Sequence, residues 1–235
     1  MRRFLSLTLS LILLAGCSPS QPADRQVDLS QPPAQSLEVP PPPPEPEPEP
    51  EPIVAHLMVG GDVMSHTPLT DDCYVAETDS YDYTHVLQFA APQLALADYA
   101  AANLETPLAG GQHSGYPRFN SPDEGFDLLS TANNHTKDKG MEGLFRTLDV
   151  LDQAGVAHVG TYRSQEERDA SHGIHVADVG GISVAFLAYT YGLNGFRIDD
   201  DLRFSANLFN LDYYTTLCNP DYQLLEEDMA AARAL

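Results

Sequence analysis

The chain is poor in basic side chains: 12 Lys and Arg stand against 34 Asp and Glu, a net charge of −22 over 235 residues. A surface of that sign repels polyanions at long range, which excludes nucleic acid as a partner. An acidic substrate would need a local cation, such as a metal ion, to approach. The imbalance extends beyond the N-terminal region, since residues 53–235 carry 9 basic and 27 acidic residues. For most of these charges, solubility of a secreted domain is sufficient reason. No apolar run is long enough to remain in a bilayer as a spanning helix. Three cysteines leave at most one disulfide. No repeat occurs outside a short Glu-Pro run, and no EF-hand spacing surrounds Asp199, Asp200 and Asp201.

What is present begins with a targeting segment. Arg2 and Arg3 form a basic start, Phe4 to Leu14 an apolar stretch, and small residues follow. Leu14-Ala15-Gly16-Cys17 resembles a bacterial lipobox, so residues 1–17 are expected to be a lipoprotein signal with Cys17 lipidated. Such an anchor would place the protein outside the cytoplasm, held to a bacterial membrane by acyl chains. Residues 18–52 read as a linker ending in "VPPPPPEPEPEPEP". Proline fixes φ and removes donors, so an extended polyproline II spacer is expected, reaching roughly 40 Å from Pro40 to Pro52 at about 3.1 Å per residue. With Cys17 lipidated, Cys73 and Cys218 remain either as a disulfide or as two free thiols.

From residue 53 the pattern alternates between strand and helix, and the expected class is α/β. Strands are expected at Val54–Val59, Tyr99–Leu104, Phe126–Thr131 and Val156–Val159. A helix-like stretch covers Val86–Ala97, with Pro92 as a break. The clearest helix is Gly140–Ala154, where Met141, Leu144, Leu148 and Leu151 share one face and Gly155 ends it. Gly180-Gly181 joins Ile174–Val179 and Ile182–Tyr189 as a hairpin, and a last helix starts at Tyr222.

In α/β folds, sites gather at the carboxyl ends of strands. Three successive strands here end in polar residues. The first gives Asp62 and His66, the second Asn103 and Glu105, and the third Asn134 and His135 with Asp138 nearby. Carboxylate, imidazole and amide groups suit Mn, Fe or Zn. Two such ions could clamp a phosphoryl group. Each piece alone has a plainer reading as an Asx turn or a helix cap. His56 reads as a hydrogen-bonded strand histidine. His158, His172 and His175 read as surface or strand residues. Tyr189 to Gly195 is either a Gly/Asn turn or a pocket lining that brings Asn194 to substrate.

"MVGGDVMSH", "NLETPL", "YPRFNSP", "GFDLLSTANNHTKDKG", "AGVAHVG" and "AYTYGLNGF" occur in that order between residues 58 and 196. In order and spacing they resemble the CapA family of capsule and poly-γ-glutamate synthesis proteins. That family looks related to calcineurin-like metallophosphoesterases, which implies a sandwich of β-sheets flanked by helices over residues 53–235. The resemblance implies Asp62, His66, Glu105, Asn134 and His135 as ligands of divalent metal ions. Glu105, Asn134 and His135 would carry chemistry, Asn103 would stand behind the metal ligands or face substrate, and Asn194 would face substrate. It also implies an anionic polymer such as poly-γ-glutamate and membrane-bound capsule synthesis proteins as partners. If the protein is an enzyme, a metal-dependent hydrolase or transferase is expected. A cell-envelope phosphoesterase and a non-catalytic polymer scaffold are the alternatives. Two departures stand out. The family helix before "GFD" is expected to be deleted near Glu124. The later His-Trp-Gly and Gly-His-x-x-His-Val motifs are missing, so the domain is expected to be incomplete at its C-terminus.

Overall fold

Two of the strands that pair in the central sheet carry runs of small residues, Gly60-Gly61 and Ala100 to Ala102. In chain order the elements are β1 (Leu57–Val63), α1 (Thr67–Asp72), β2 (Tyr74–Val75), β3 (Ser80–Tyr81), α2 (Ala91–Leu94), β4 (Tyr99–Leu104), β5 (Leu128–Ser130), α3 (Gly140–Ala154), β6 (Ala157–Val159), α4 (Gln165–Ser171), β7 (Ile174–Val179), β8 (Ile182–Leu187), a 3-10 helix at Asp200–Ser205, and α5 (Gln223–Ala232). The computed structural model describes residues 50–65, 67–109 and 125–235. Pro50–Leu235 is one compact unit. The signal segment with Cys17, the linker before Pro50, His66 and the link before Gly125 lie outside the described residues.

Strands β1, β4, β5 and β6 form a parallel sheet in that order. Side chains alternate between its faces. Ala102, Leu104 and Leu129 point to one side, where they meet Leu108, Leu151 and Val156. Ala101, Leu128 and Val159 point to the other and meet Ala188, with Phe186 and Tyr99 packed alongside. Helix α3 therefore covers one face and the β7–β8 hairpin the other, a layered α/β sandwich of the metallophosphatase type. Leu148 and Leu151 are fully buried. Burying each such side chain contributes about 2 kcal/mol. The hairpin is pinned by Tyr99, whose hydroxyl lies 2.9 Å from His175 Nε2. Burial pushes the Tyr99 phenol up to about 12, and burial followed by nearby His158 pulls His175 down.

Several boundaries differ from the sequence reading. β1 does not stop before Gly60-Gly61-Asp62 but runs through them. Its register with β4 slips between Val59 and Asp62, a bulge carrying one extra residue. Gly60 is closely approached there: a Cβ would lie 3.1 Å from the Phe126 ring and 3.3 Å from Ala102 Cβ. Residues 53–56 are outside the strand, and His56 sits exposed with its backbone N–H on Asp98 Oδ2 at 2.7 Å. The expected helix at Val86–Ala97 shrinks to α2, because Pro92 starts the helix instead of interrupting it. β5 is shorter than Phe126–Thr131; Asp127 already uses its side chain to accept from Ala100 N at 2.7 Å. Helix α3 and its left-handed cap at Gly155 lie where the periodicity placed them. Cys73 is buried and Cys218 exposed, both as free thiols. Among the described residues no helix is long and apolar enough to cross a membrane.

Gly160, just after β6, abuts the loop that carries the polar cluster. Its φ is +111°, and a Cβ would lie 2.6 Å from Ala132 Cβ and 3.0 Å from Ala132 N. Gly160→Ala is expected to cost about 2 kcal/mol from backbone strain and crowding. A lowered urea midpoint with an unchanged m-value is the check.

Candidate functional site

Asn103, on β4, is the hub of the polar cluster. Its Nδ2 donates to Asp62 Oδ1 at 2.8 Å and to Glu105 Oε2. Its Oδ1 accepts from Ser130 Oγ at 3.0 Å and from Asn133 Nδ2 at 3.1 Å. An amide offers two donors and one twice-accepting oxygen. All four roles are filled, and the two donors on one side fix which amide atom faces which neighbour. The parallel register makes this possible by placing Asp62 beside Asn103 and Asn103 beside Ser130.

The loop after β5 is built by its own side chains. Thr136 Oγ1 donates to Thr131 O and accepts from Asn133 N, an internal brace across the turn. Asn133 Nδ2 donates to Leu104 O at 2.7 Å, and Asn133 Oδ1 accepts from His135 N at 3.0 Å. Asn133 therefore ties the loop to β4 and sets the direction of His135. His135 Nδ1 lies 2.7 Å from Asp138 Oδ2, and its Nε2 lies 3.7 Å from Glu105 Oε1. Asn194 reaches in from the segment after β8, in a left-handed conformation with φ +50°. It accepts from Asn134 Nδ2 at 3.1 Å and places its Nδ2 3.4 Å from His135 Nδ1.

The structure thus brings Asp62, Asn103, Glu105 and His135 to one place, with Asn134 and Asn194 on its edge. All four hydrogen-bonding roles of Asn103 are taken by these partners, an arrangement that positions Asp62 and Glu105. His66 lies outside the described residues. Sequence reasoning overlooked the parts played by Ser130, Asn133 and Thr136. Their signal was present in "STANNHT", where consecutive hydroxyl and amide residues after a buried strand have backbone groups to satisfy.

Does this donor set fit a divalent cation? In the neutral tautomer that donates Nδ1–H to Asp138, His135 Nε2 presents a lone pair 3.7 Å from Glu105 Oε1. Two acceptors then face each other with no donor between them. The Glu105 side chain is only 10% exposed, and a buried carboxylate without a cation is costly. An imidazole whose far nitrogen is held by a carboxylate is the usual setting of a metal-bound histidine. The donor chemistry suits a cation at Glu105 and His135, with Asp62 joined to Glu105 through Asn103. Among the described residues, no three His, Cys, Asp or Glu side chains close on one point, so they form a partial ligand set.

Comparisons with known proteins identify the family of the folded unit. The family described as bacterial capsule synthesis protein PGA_cap matches residues 56–234. Two curated proteins of Sinorhizobium fredii (strain NBRC 101917 / NGR234), the uncharacterized proteins y4sH and y4uA, are each 35% identical over 78 residues. Those matches cover 31% of this chain and 17% of each relative. The described strand order, the sandwich and the family match, which takes in nearly all of the folded unit, lead to one assignment: this chain belongs to the CapA-type bacterial capsule synthesis proteins.

Proposed function

We propose that the protein is a lipid-anchored, extracytoplasmic component of capsule synthesis whose strand-end cluster holds one or two divalent metal ions, Mn, Fe or Zn. Its partners would be an anionic polymer such as poly-γ-glutamate and membrane-bound synthesis proteins. The observation that carries the reading is the His135 imidazole, braced on Asp138 and aimed at the Glu105 carboxylate. Asp62, Glu105 and His135 would hold the cation, with His66 and Asn134 as further candidates. A bound divalent ion supplies charge neutralisation and Lewis acidity toward an anionic group. The chain's own contribution is placement. Asn103 keeps Asp62 and Glu105 together, Asp138 fixes the tautomer of His135, and Asn194 closes the edge of the site.

The test is polymer output from cells carrying Asp62→Ala or His135→Ala, together with metal content of the purified full-length protein. Output at least tenfold below wild type, with near-stoichiometric Mn, Fe or Zn lost in both variants and an unchanged circular dichroism spectrum, is expected. Normal polymer output and unchanged metal content would reject the site. Metal loss with normal output would identify a structural ion in a non-catalytic scaffold.

A further inference from the structure

Away from the strand-end cluster, α4, the 203–211 segment and the start of α5 enclose a cleft of about 350 Å³, within the size range of small-molecule sites. Two arginines line it, and they differ in kind. Arg168 is satisfied by Asp228 and by Asn207 Oδ1 at 2.9 Å. Arg203 has no carboxylate within ion-pair distance among the described residues. Its Nη1 donates to Ala206 O at 3.0 Å, and its guanidinium lies 5.1 Å over the Tyr213 ring. Its other N–H groups have no partner among the described residues. Burial pulls this guanidinium below its ordinary value, with Tyr213 and the more distant Asp221 opposing. A partly buried cation without its own counter-ion is costly to keep, and a ligand anion would remove that cost.

The rest of the lining narrows the ligand. Leu208, Leu211 and Leu224 offer an apolar wall. Asp169 and Asp221 stand at the same cleft. Each has one oxygen engaged, by Gln165 Nε2 at 2.7 Å and by Gln223 N at 3.1 Å. Two carboxylates disfavour a dianion such as phosphate and favour a ligand that carries a cation as well. We infer that this cleft binds a small amino-acid zwitterion with an apolar side chain: carboxylate on Arg203, ammonium toward Asp221, side chain against Leu208, Leu211 and Leu224. This inference uses none of the strand-end residues and stands apart from the proposed metal site.

Isothermal titration calorimetry on the full chain in detergent tests it, with L-leucine as probe and N-acetyl-L-leucine and inorganic phosphate as comparisons. Saturable L-leucine binding is expected, at least tenfold weaker in Arg203→Gln. Asp221→Asn should weaken L-leucine several-fold while leaving N-acetyl-L-leucine unchanged, because only the former carries an ammonium. That selective effect decides the matter even if Arg203→Gln folds poorly. No saturable L-leucine binding, binding undiminished by Arg203→Gln in a folded variant, equal effects of Asp221→Asn on both leucine forms, or Arg203-dependent binding of phosphate in place of L-leucine would each overturn it.

Discussion

Asp228→Ala is expected to lower the unfolding free energy by about 3–5 kcal/mol, because it strands a buried guanidinium. The side chains of Arg168 and Asp228 are 7% and 5% exposed. Asp228 Oδ2 accepts from both Arg168 Nη2 and the Tyr189 hydroxyl. Arg168 continues the network through Asn207, whose Nδ2 donates to Ala188 O and to the Tyr162 hydroxyl. Three elements of different origin, α4, the end of β8 and α5, are joined by these few atoms. Burial, then the bond to Asp228, pushes the Tyr189 phenol far above its usual range, so it stays a donor at any working pH. At about 2–4 °C per kcal/mol for a domain of this size, the melting temperature should drop by roughly 10 °C. Replacing both charges, as Arg168→Met with Asp228→Leu, should recover much of the loss, since two apolar groups can fill the space without desolvating charge. Denaturation of the two single variants and the double variant measures the coupling. A single-variant loss below about 1 kcal/mol would show the pair to be solvated.

The second large effect is expected from Asn103→Leu, a replacement of similar size. It removes both donors from the Asp62 and Glu105 carboxylates and the shared acceptor from Ser130 and Asn133. Ser130 can rotate and Asn133 keeps Leu104 O, so most of the penalty falls on buried Glu105. A lost charge-assisted bond at such a site costs about 3 kcal/mol. Cation affinity should fall about 10- to 100-fold, the effect typical of losing a group that orients ligands. Asn103→Asp should be worse for stability in the absence of metal, because it sets a third carboxylate against two. Denaturant titration with and without added Mn separates the two variants. If Asn103→Asp is the more stable one in metal-free buffer, the hub assignment is wrong.

Patterns that are local in the chain were legible before folding was considered. Helix α3 declares itself by Leu144, Leu148 and Leu151 on one face and by Gly155 beyond it. The β7–β8 turn declares itself by Gly180-Gly181, both with positive φ, as a tight two-residue hairpin needs. The three strand-end groups were legible for the same reason, since each is a polar break after an apolar run. What could not be read were features set by partners far along the chain. Helix α4 is short and polar, and only its Ser164 cap, accepting from Glu167 N at 3.1 Å, marks it. Its anchor is Asp228, 60 residues away. The bulge in β1 depends on Phe126 crossing over Gly60, which no local pattern encodes. The bonds of Asn103 could not be read either, because three of its four partners, Asp62, Ser130 and Asn133, lie 27 to 41 residues away.

That scattering has a consequence for how the protein comes to exist. Asp62 and Asn103 are 41 residues apart, Asn103 and Asn133 are 30 apart, and Asn134 and Asn194 are 60 apart. Loops of this span must close before any of these contacts forms, and that cost in chain entropy falls on the cluster itself. A half-formed chain can hold α3 or the β7–β8 hairpin, yet it does not hold the polar cluster of Asp62, Asn103, Glu105 and His135 together. The cluster therefore assembles only with completion of the sheet, all at once rather than piece by piece.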